Sequence, residues 1–259
     1  MASRKRRKAV SVAAQRRAYD RATRKARVAE RIFVRAVVTL QRSIVLTYQS
    51  RLKGVVKRLS LDGGVKADAK PGAKEVNAAE KLLRARIAPR LQVAYGRMAK
   101  SVDDASKEYA EVIGIGSADL SKGVREQIEK RRDESIKLVE DANRDYAKQV
   151  RDVFGDPANT GLRVEELQAK LVDRGMVSES RAELIARDQT TKLLGGLNEA
   201  RQREAGITRY TWCTSRDERV RPEHEERDGA VFSWDEPPED GHPGEPVLCR
   251  CSASPILDD

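Results

Sequence analysis

Residues 37–59 read VVTLQRSIVLTYQSRLKGVVKRL, and in them Val37, Leu40, Ile44, Tyr48, Leu52, Val55 and Leu59 recur every three or four positions. That spacing places one apolar stripe along a helix whose other faces are mostly polar or basic. No Gly or Pro interrupts the chain before Gly54, so the helix is free to extend far toward the N-terminus. The first 25 residues carry little apolar content, and the expectation for them is an arm that orders only on binding. Gly63, Gly64, Pro71 and Gly72 break the pattern and make 61–73 a linker.

The same periodicity returns twice. A second stripe runs Leu83, Ile87, Leu91, Tyr95, Met98, Val102, Ala105, Tyr109 and Val112, with Pro89 expected to kink the helix or mark its start. A third helix is predicted over roughly 121–153 on Val124, Ile128, Val139, Ala142, Tyr146, Val150 and Val153. Three long, narrow stripes imply an extended bundle or stalk, with self-association through helices as a way to complete burial. Next, Leu162, Val164, Leu167 and Leu171 predict a short helix ending near Gly175, and Ser180 with Glu183 a capping box opening another that ends at Gly206. Gly195 and Gly196 fall inside that last helix, which fits either a close backbone neighbour or local fraying.

Beyond Gly206 the texture turns β-rich or irregular. Tyr210 and Trp212 alternate with polar residues, Ala230-Val231-Phe232 follows a turn at Asp228-Gly229, and Val247-Leu248 precedes the cysteines. The fold class is therefore mainly α: extended amphipathic helices over 1–155, followed by a small α+β module over 156–259.

Composition agrees with that class. Charged residues are 36% and aromatics 4%, too lean in aromatics for a β-sandwich or an aromatic-lined enzyme pocket. No apolar run reaches the roughly 18 residues of a membrane span, and no compact apolar core follows the basic N-terminus as in a signal peptide. Three cysteines, Cys213, Cys249 and Cys251, make an odd count that fits a reducing cytoplasm.

Charge is distributed unevenly. Residues 1–60 hold 18 Lys or Arg against two acids, whereas residues 210–259 hold five against 13, so a net charge of +16 at one end faces −8 at the other. A basic arm of Arg4, Lys5, Arg6, Arg7, Lys8, Arg16, Arg17, Arg21, Arg24, Lys25, Arg27, Arg31 and Arg35 suits non-sequence-specific contact with double-stranded DNA through counterion release. An acidic protein partner or a solvated helix face accounts for the same charges.

The chemistry-bearing residues gather late. His224, His242, Cys249 and Cys251 include both histidines of the chain and are the ligand types of a structural zinc site. Hydrogen-bonding and packing roles in a compact loop module are the other reading. Asp217, Arg219, Arg221 and Glu223 are candidates for an ion-pair knot before His224. Neither a Gly-x-Ser-x-Gly elbow nor a phosphate-binding Gly-x-x-x-x-Gly-Lys-Ser/Thr loop occurs, so no catalytic residue is assigned. The surviving enzymatic alternative is a metal-dependent nuclease on His224, His242, Asp217 and Asp228; a scaffold-like DNA-binding helical protein is the other rival.

From Arg181 to Pro255 the chain resembles the phage head-morphogenesis family, the Mu F-like minor head proteins. Four features carry the resemblance in order. They are the helix Arg181 to Asp188; Glu204-Ala205-Gly206-Ile207 leading to Tyr210-Thr211-Trp212; Asp217 to His224 followed by Asp228 to Phe232; and the proline-rich segment ending in Cys249-Arg250-Cys251. The likeness extends to about residue 162 if the helix from Leu162 is included, and it makes Trp212, Asp217, Arg219, Arg221, His224, Asp228 and Gly229 structural motif residues. Some members carry a cysteine pair where this chain has Arg221 and His224. The resemblance implies a minor capsid protein of the virion, located in the head interior or at the portal vertex and assembled in the host bacterial cytoplasm. Its partners would be the portal protein, the major capsid protein and DNA, with no membrane.

Overall fold

The computed structural model describes residues 10–61, 73–116, 121–159, 162 and 164–257. Four long helices dominate: α1 Val12–Leu61, α2 Ala73–Val112, α3 Lys122–Gly155 and α4 Val164–Glu204. A short 3-10 turn at Pro157–Asn159 links α3 and α4. The strands β1 Arg209–Cys213, β2 Val231–Ser233 and β3 Ser252–Pro255 follow, with the five-residue helix α5 Pro222–Glu226 between the first two. The predicted class, long helices followed by a small α+β module, is the observed one.

The described residues divide into two compact units. One unit takes the described residues up to Phe33, with Tyr95–Asp133 and those from Arg187 onward; the other takes Val34–Ala94 and Glu134–Ala186. Each of the four long helices contributes residues to both units.

In the first unit, Ala18, Tyr19, Ala22, Ala26, Ala29 and Phe33 of α1 are buried. Tyr19 meets Tyr109 of α2 edge-on at 5.5 Å, and Phe33 meets Tyr95 at 5.9 Å. Residues 12–25, expected to order only on binding, are thus part of α1: its alanines, weak as a sequence signal, let the neighbouring helices approach closely. The Arg201 guanidinium of α4, itself buried, pairs with buried Asp103 of α2 and donates to Ser106 Oγ at 2.6 Å. Ser106 in turn donates to Asn198 Oδ1 at 2.7 Å. In the second unit, Val37, Ile44, Tyr48, Leu83, Ile87, Tyr146 and Val150 are buried as their periodicity predicted, with Tyr48 edge-on to Tyr146 at 5.5 Å.

The stretch predicted as two helices is one. α4 runs unbroken through Gly175 and Ser180, so neither the stop nor the capping box forms. A Cβ on Gly175 would come within 2.8 Å of Val45 Cγ1, so that glycine is there for close helix packing. Pro89 likewise lies inside α2. Pro89 and Ala85, four residues before it, are both exposed, so water can satisfy the carbonyl that proline leaves without its donor. Val112, assigned to the buried stripe, is exposed, and Ile113 is buried in its place. The linker assigned to 61–73 lies largely outside the described residues; Leu61 and Ala73 close α1 and open α2.

The sheet is antiparallel in the order β2-β1-β3, with Tyr210 opposite Phe232 and Trp212 opposite Ala253. β1 is central, and Tyr210 and Trp212 are fully buried in a core with Trp234, Cys249, Cys251 and Ala253. Val247-Leu248, in the segment read as β-rich or irregular, is an exposed turn in which Leu248 takes a left-handed φ of 55°. Asp188 of α4 holds that turn by accepting from the Leu248 N–H at 2.8 Å.

Candidate functional site

The histidines and cysteines sit in the first unit, around the buried face of the sheet. Arg221 precedes α5, and Pro222 occupies its first turn, where a missing N–H costs nothing. This one-turn helix directs His224 inward to lie edge-on against Trp212 at 5.2 Å. Its Nδ1 lies 3.6 Å from Cys249 Sγ and 3.5 Å from Cys251 Sγ, and all three residues are buried. The ligand-type atoms of the three lie within 4.8 Å of one another.

Both thiols reach the same place because the residue between them points elsewhere. Arg250 goes to the Asp217 carboxylate with two guanidinium contacts of 2.5 Å, while Cys249 and Cys251 turn inward. The Cys251 N–H donates to Cys249 Sγ at 3.4 Å. Hydrogen bonding with Cys251 draws the Cys249 thiol down to about 6, and that same bond, with burial, pushes the Cys251 thiol well above its ordinary value. The pair therefore holds one negative charge readily and resists a second.

His224 is oriented from behind. Its Nε2 lies 2.8 Å from Asp240 Oδ2, and since a carboxylate only accepts, Nε2 is the donor there and Nδ1 is the nitrogen that faces the sulfurs. Arg227 Nη1 donates to Asp240 Oδ1 at 2.5 Å, and its guanidinium lies 5.1 Å from the centre of the Trp212 ring. Burial opposes ionisation of Asp240, but the bonds from His224 and Arg227 outweigh it and hold the carboxyl below its ordinary range.

His242 is not part of this cluster. Its Nδ1 lies 2.9 Å from the Tyr210 hydroxyl, and its ring is edge-on to Trp234 at 4.9 Å, so it braces the aromatic core. The four-residue set read from the sequence becomes three, because the proline-rich turn carries His242 to the other aromatic of β1. Cys213, buried at the end of β1, faces the Thr211 carbonyl at 3.7 Å and also stands apart.

The predicted ion-pair knot does not form as such. Asp217 is taken by Arg250 and accepts from the Arg219 N–H at 3.1 Å, while Arg221 donates to the Val247 carbonyl at 2.7 Å. Asp228 accepts from the Thr214 N–H at 2.8 Å and pairs with Arg216 at 3.1 Å, and Gly229 turns the chain at φ 89°. Asp217, Asp228, His224 and His242 thus have separate partners and do not converge as the nuclease alternative requires. Asp188 and Arg250, which fall within the quoted motifs without an assigned role, and Asp240, which no motif marked, position the cluster; an acid on a loop such as Asp240 carries no signal until its partner is known.

Of the basic arm, Arg4, Lys5, Arg6, Arg7 and Lys8 lie outside the described residues. Arg17, Arg21, Arg24, Arg27 and Arg31 are exposed on α1, on the side opposite Ala18, Ala22, Ala26 and Ala29. Arg16 instead donates to the Thr214 carbonyl at 2.7 Å, and Lys25 pairs with Glu108. Arg35 is exposed in the second unit.

The C-terminal half is thus a helix-supported sheet module closed around a buried thiol–imidazole cluster. Residues 148–254 match the family described as Phage Mu protein F like protein, the family that the motifs from Arg181 to Pro255 resembled, and the match reaches back into α3. An uncharacterized protein of Haemophilus influenzae is 40% identical over 125 residues, covering 48% of this chain and 28% of that protein. The chain therefore spans under a third of that relative's length. No solved structure matches.

Proposed function

We propose that the protein is a minor head-morphogenesis protein of a tailed bacteriophage, a non-enzymatic part of the virion. In this reading it is assembled in the host cytoplasm and retained at low copy number beside the portal and major capsid proteins. The observation that carries the proposal is the family match over residues 148–254. In this assignment the C-terminal module, with its excess of acids, docks on the portal or capsid, and the exposed arginines of α1 face packaged double-stranded DNA. Support for the second half is physical: a row of solvent-facing guanidiniums on one helix attracts phosphates without reading bases.

Mass spectrometry of purified mature particles tests it. The chain is expected in the particle below the copy number of the major capsid protein, and in the connector fraction after disruption. Its absence from mature heads would favour a scaffold that leaves, and nicking of plasmid DNA by the purified protein with Mg²⁺ would favour the nuclease.

A further inference from the structure

The buried cluster of His224, Cys249 and Cys251 has the geometry of a metal site, and we infer that these three side chains bind one zinc ion through Nδ1 and two thiolates. Tetrahedral zinc, with Zn–S near 2.3 Å and Zn–N near 2.0–2.1 Å, places sulfur and nitrogen about 3.5–3.6 Å apart. The observed separations are 3.6 and 3.5 Å. Nδ1 thus has two sulfur neighbours at once, each at the distance that a shared tetrahedral ion sets.

Two further features belong to metal sites. Asp240 fixes the His224 ring through Nε2, and the carboxylate–imidazole relay both orients the ring and raises its basicity toward a metal. The Cys251 N–H on Cys249 Sγ is the kind of bond that stabilises a metal-bound thiolate. Binding releases the thiol protons to solvent as the Zn–S bonds form, and zinc with two thiolates and a neutral imidazole carries no net charge, so the buried site needs no counterion. Three protein ligands leave one tetrahedral position, which water fills. The ion would crosslink α5 to the strand-leading segment 249–251, stapling a sheet of three short strands whose apolar core is small. His242, assigned from the sequence to the same ion, takes no part.

The test is elemental analysis and Co²⁺ substitution of the full chain purified under reducing conditions. About one zinc per chain is expected, with Co²⁺ giving intense tetrahedral d–d bands and a near-ultraviolet thiolate charge-transfer band. His224→Ala and Cys251→Ser should lose the metal, while His242→Ala and Cys213→Ser keep it. Because the first two substitutions can also unfold the module, Asp240→Asn supplies a milder probe: zinc affinity measured by competition with a chelator should fall about 10–100-fold. Protein without stoichiometric zinc and without the Co²⁺ spectrum would overturn the assignment. So would a Cys249–Cys251 disulfide in freshly purified protein, or loss of metal from His242→Ala.

Discussion

Replacing Arg17, Arg21, Arg24, Arg27 and Arg31 together by Gln asks whether α1 is a polyanion-binding face. From Arg17 to Arg31 the row spans 15 residues, about 21 Å of helix rise, which is roughly two thirds of a turn of B-DNA. All are exposed, and the buried side of α1 is alanine and aromatic, so the change leaves the packed stripe untouched; Gln also retains good helix propensity. Exposed Asp20 sits beside the row and cancels one charge, leaving about four positive charges to release counterions, each contributing about −0.9 to the slope of log K against log salt. The wild type should therefore be steeper than the variant by about 3.6, and a fourfold rise in salt should cost the wild type about 150-fold more affinity than it costs the variant. Fluorescence anisotropy on a short duplex of arbitrary sequence, titrated at several salt concentrations, measures this directly. Comparing slopes rather than affinities removes any contribution from Arg4 to Lys8, which both proteins share. Slopes agreeing within one unit would refute the DNA-facing assignment of α1, whatever the absolute affinity.

Arg201→Ala should destabilise the protein by about 3 kcal/mol, the lower end for an orphaned buried carboxylate, because Lys107 Nζ still lies 3.2 Å from Asp103 Oδ2. Urea unfolding measures it, and a loss under about 1 kcal/mol would mean that the pair is solvated. Gly244→Ala should cost about 1–2 kcal/mol through its φ of 94°, with the new Cβ also 3.5 Å from Gly195 Cα. Gly96→Ala, with nothing within 4 Å in mid-α2, should instead gain up to about 1 kcal/mol; thermal melts that reverse this order would contradict the backbone argument. The Asp217 carboxyl is held below its ordinary range, first by Arg250 against the effect of burial, then by the Arg219 N–H. A depressed carboxylate stabilises above the unfolded-state value of about 3.9 and ceases to do so as pH falls through its folded value. Asp217→Asn should therefore be less stable than wild type at pH 7, by about 1 kcal/mol or less for so exposed a pair, and the gap should close below about pH 4. A gap that widens toward acid would reverse the assignment.

What the sequence determined by itself is what depends on neighbours three or four residues away. The stripes through Val37, Ile44 and Tyr48, through Ile87, Leu91 and Tyr95, and through Tyr146 and Val150 marked the buried faces because one helical period brings them together. The alternation of Tyr210 and Trp212 likewise marked β1. Tertiary structure decided the rest. Gly175 and Ser180 carry local stop and start signals, but packing against Val45 and the neighbouring helices outweighs a propensity cost of about 1 kcal/mol, so α4 continues. Residues 12–25 looked too poor in apolar groups to order alone, and they order on a stripe of alanines that neighbouring helices cover. Membership of the thiol–imidazole cluster depended on where loops of 16–27 residues return: His224 meets Cys249, Cys251 and Asp240, while His242 is claimed by the Tyr210 hydroxyl. Composition states which ligands are available; only the closed path of the backbone brings particular atoms within bonding distance.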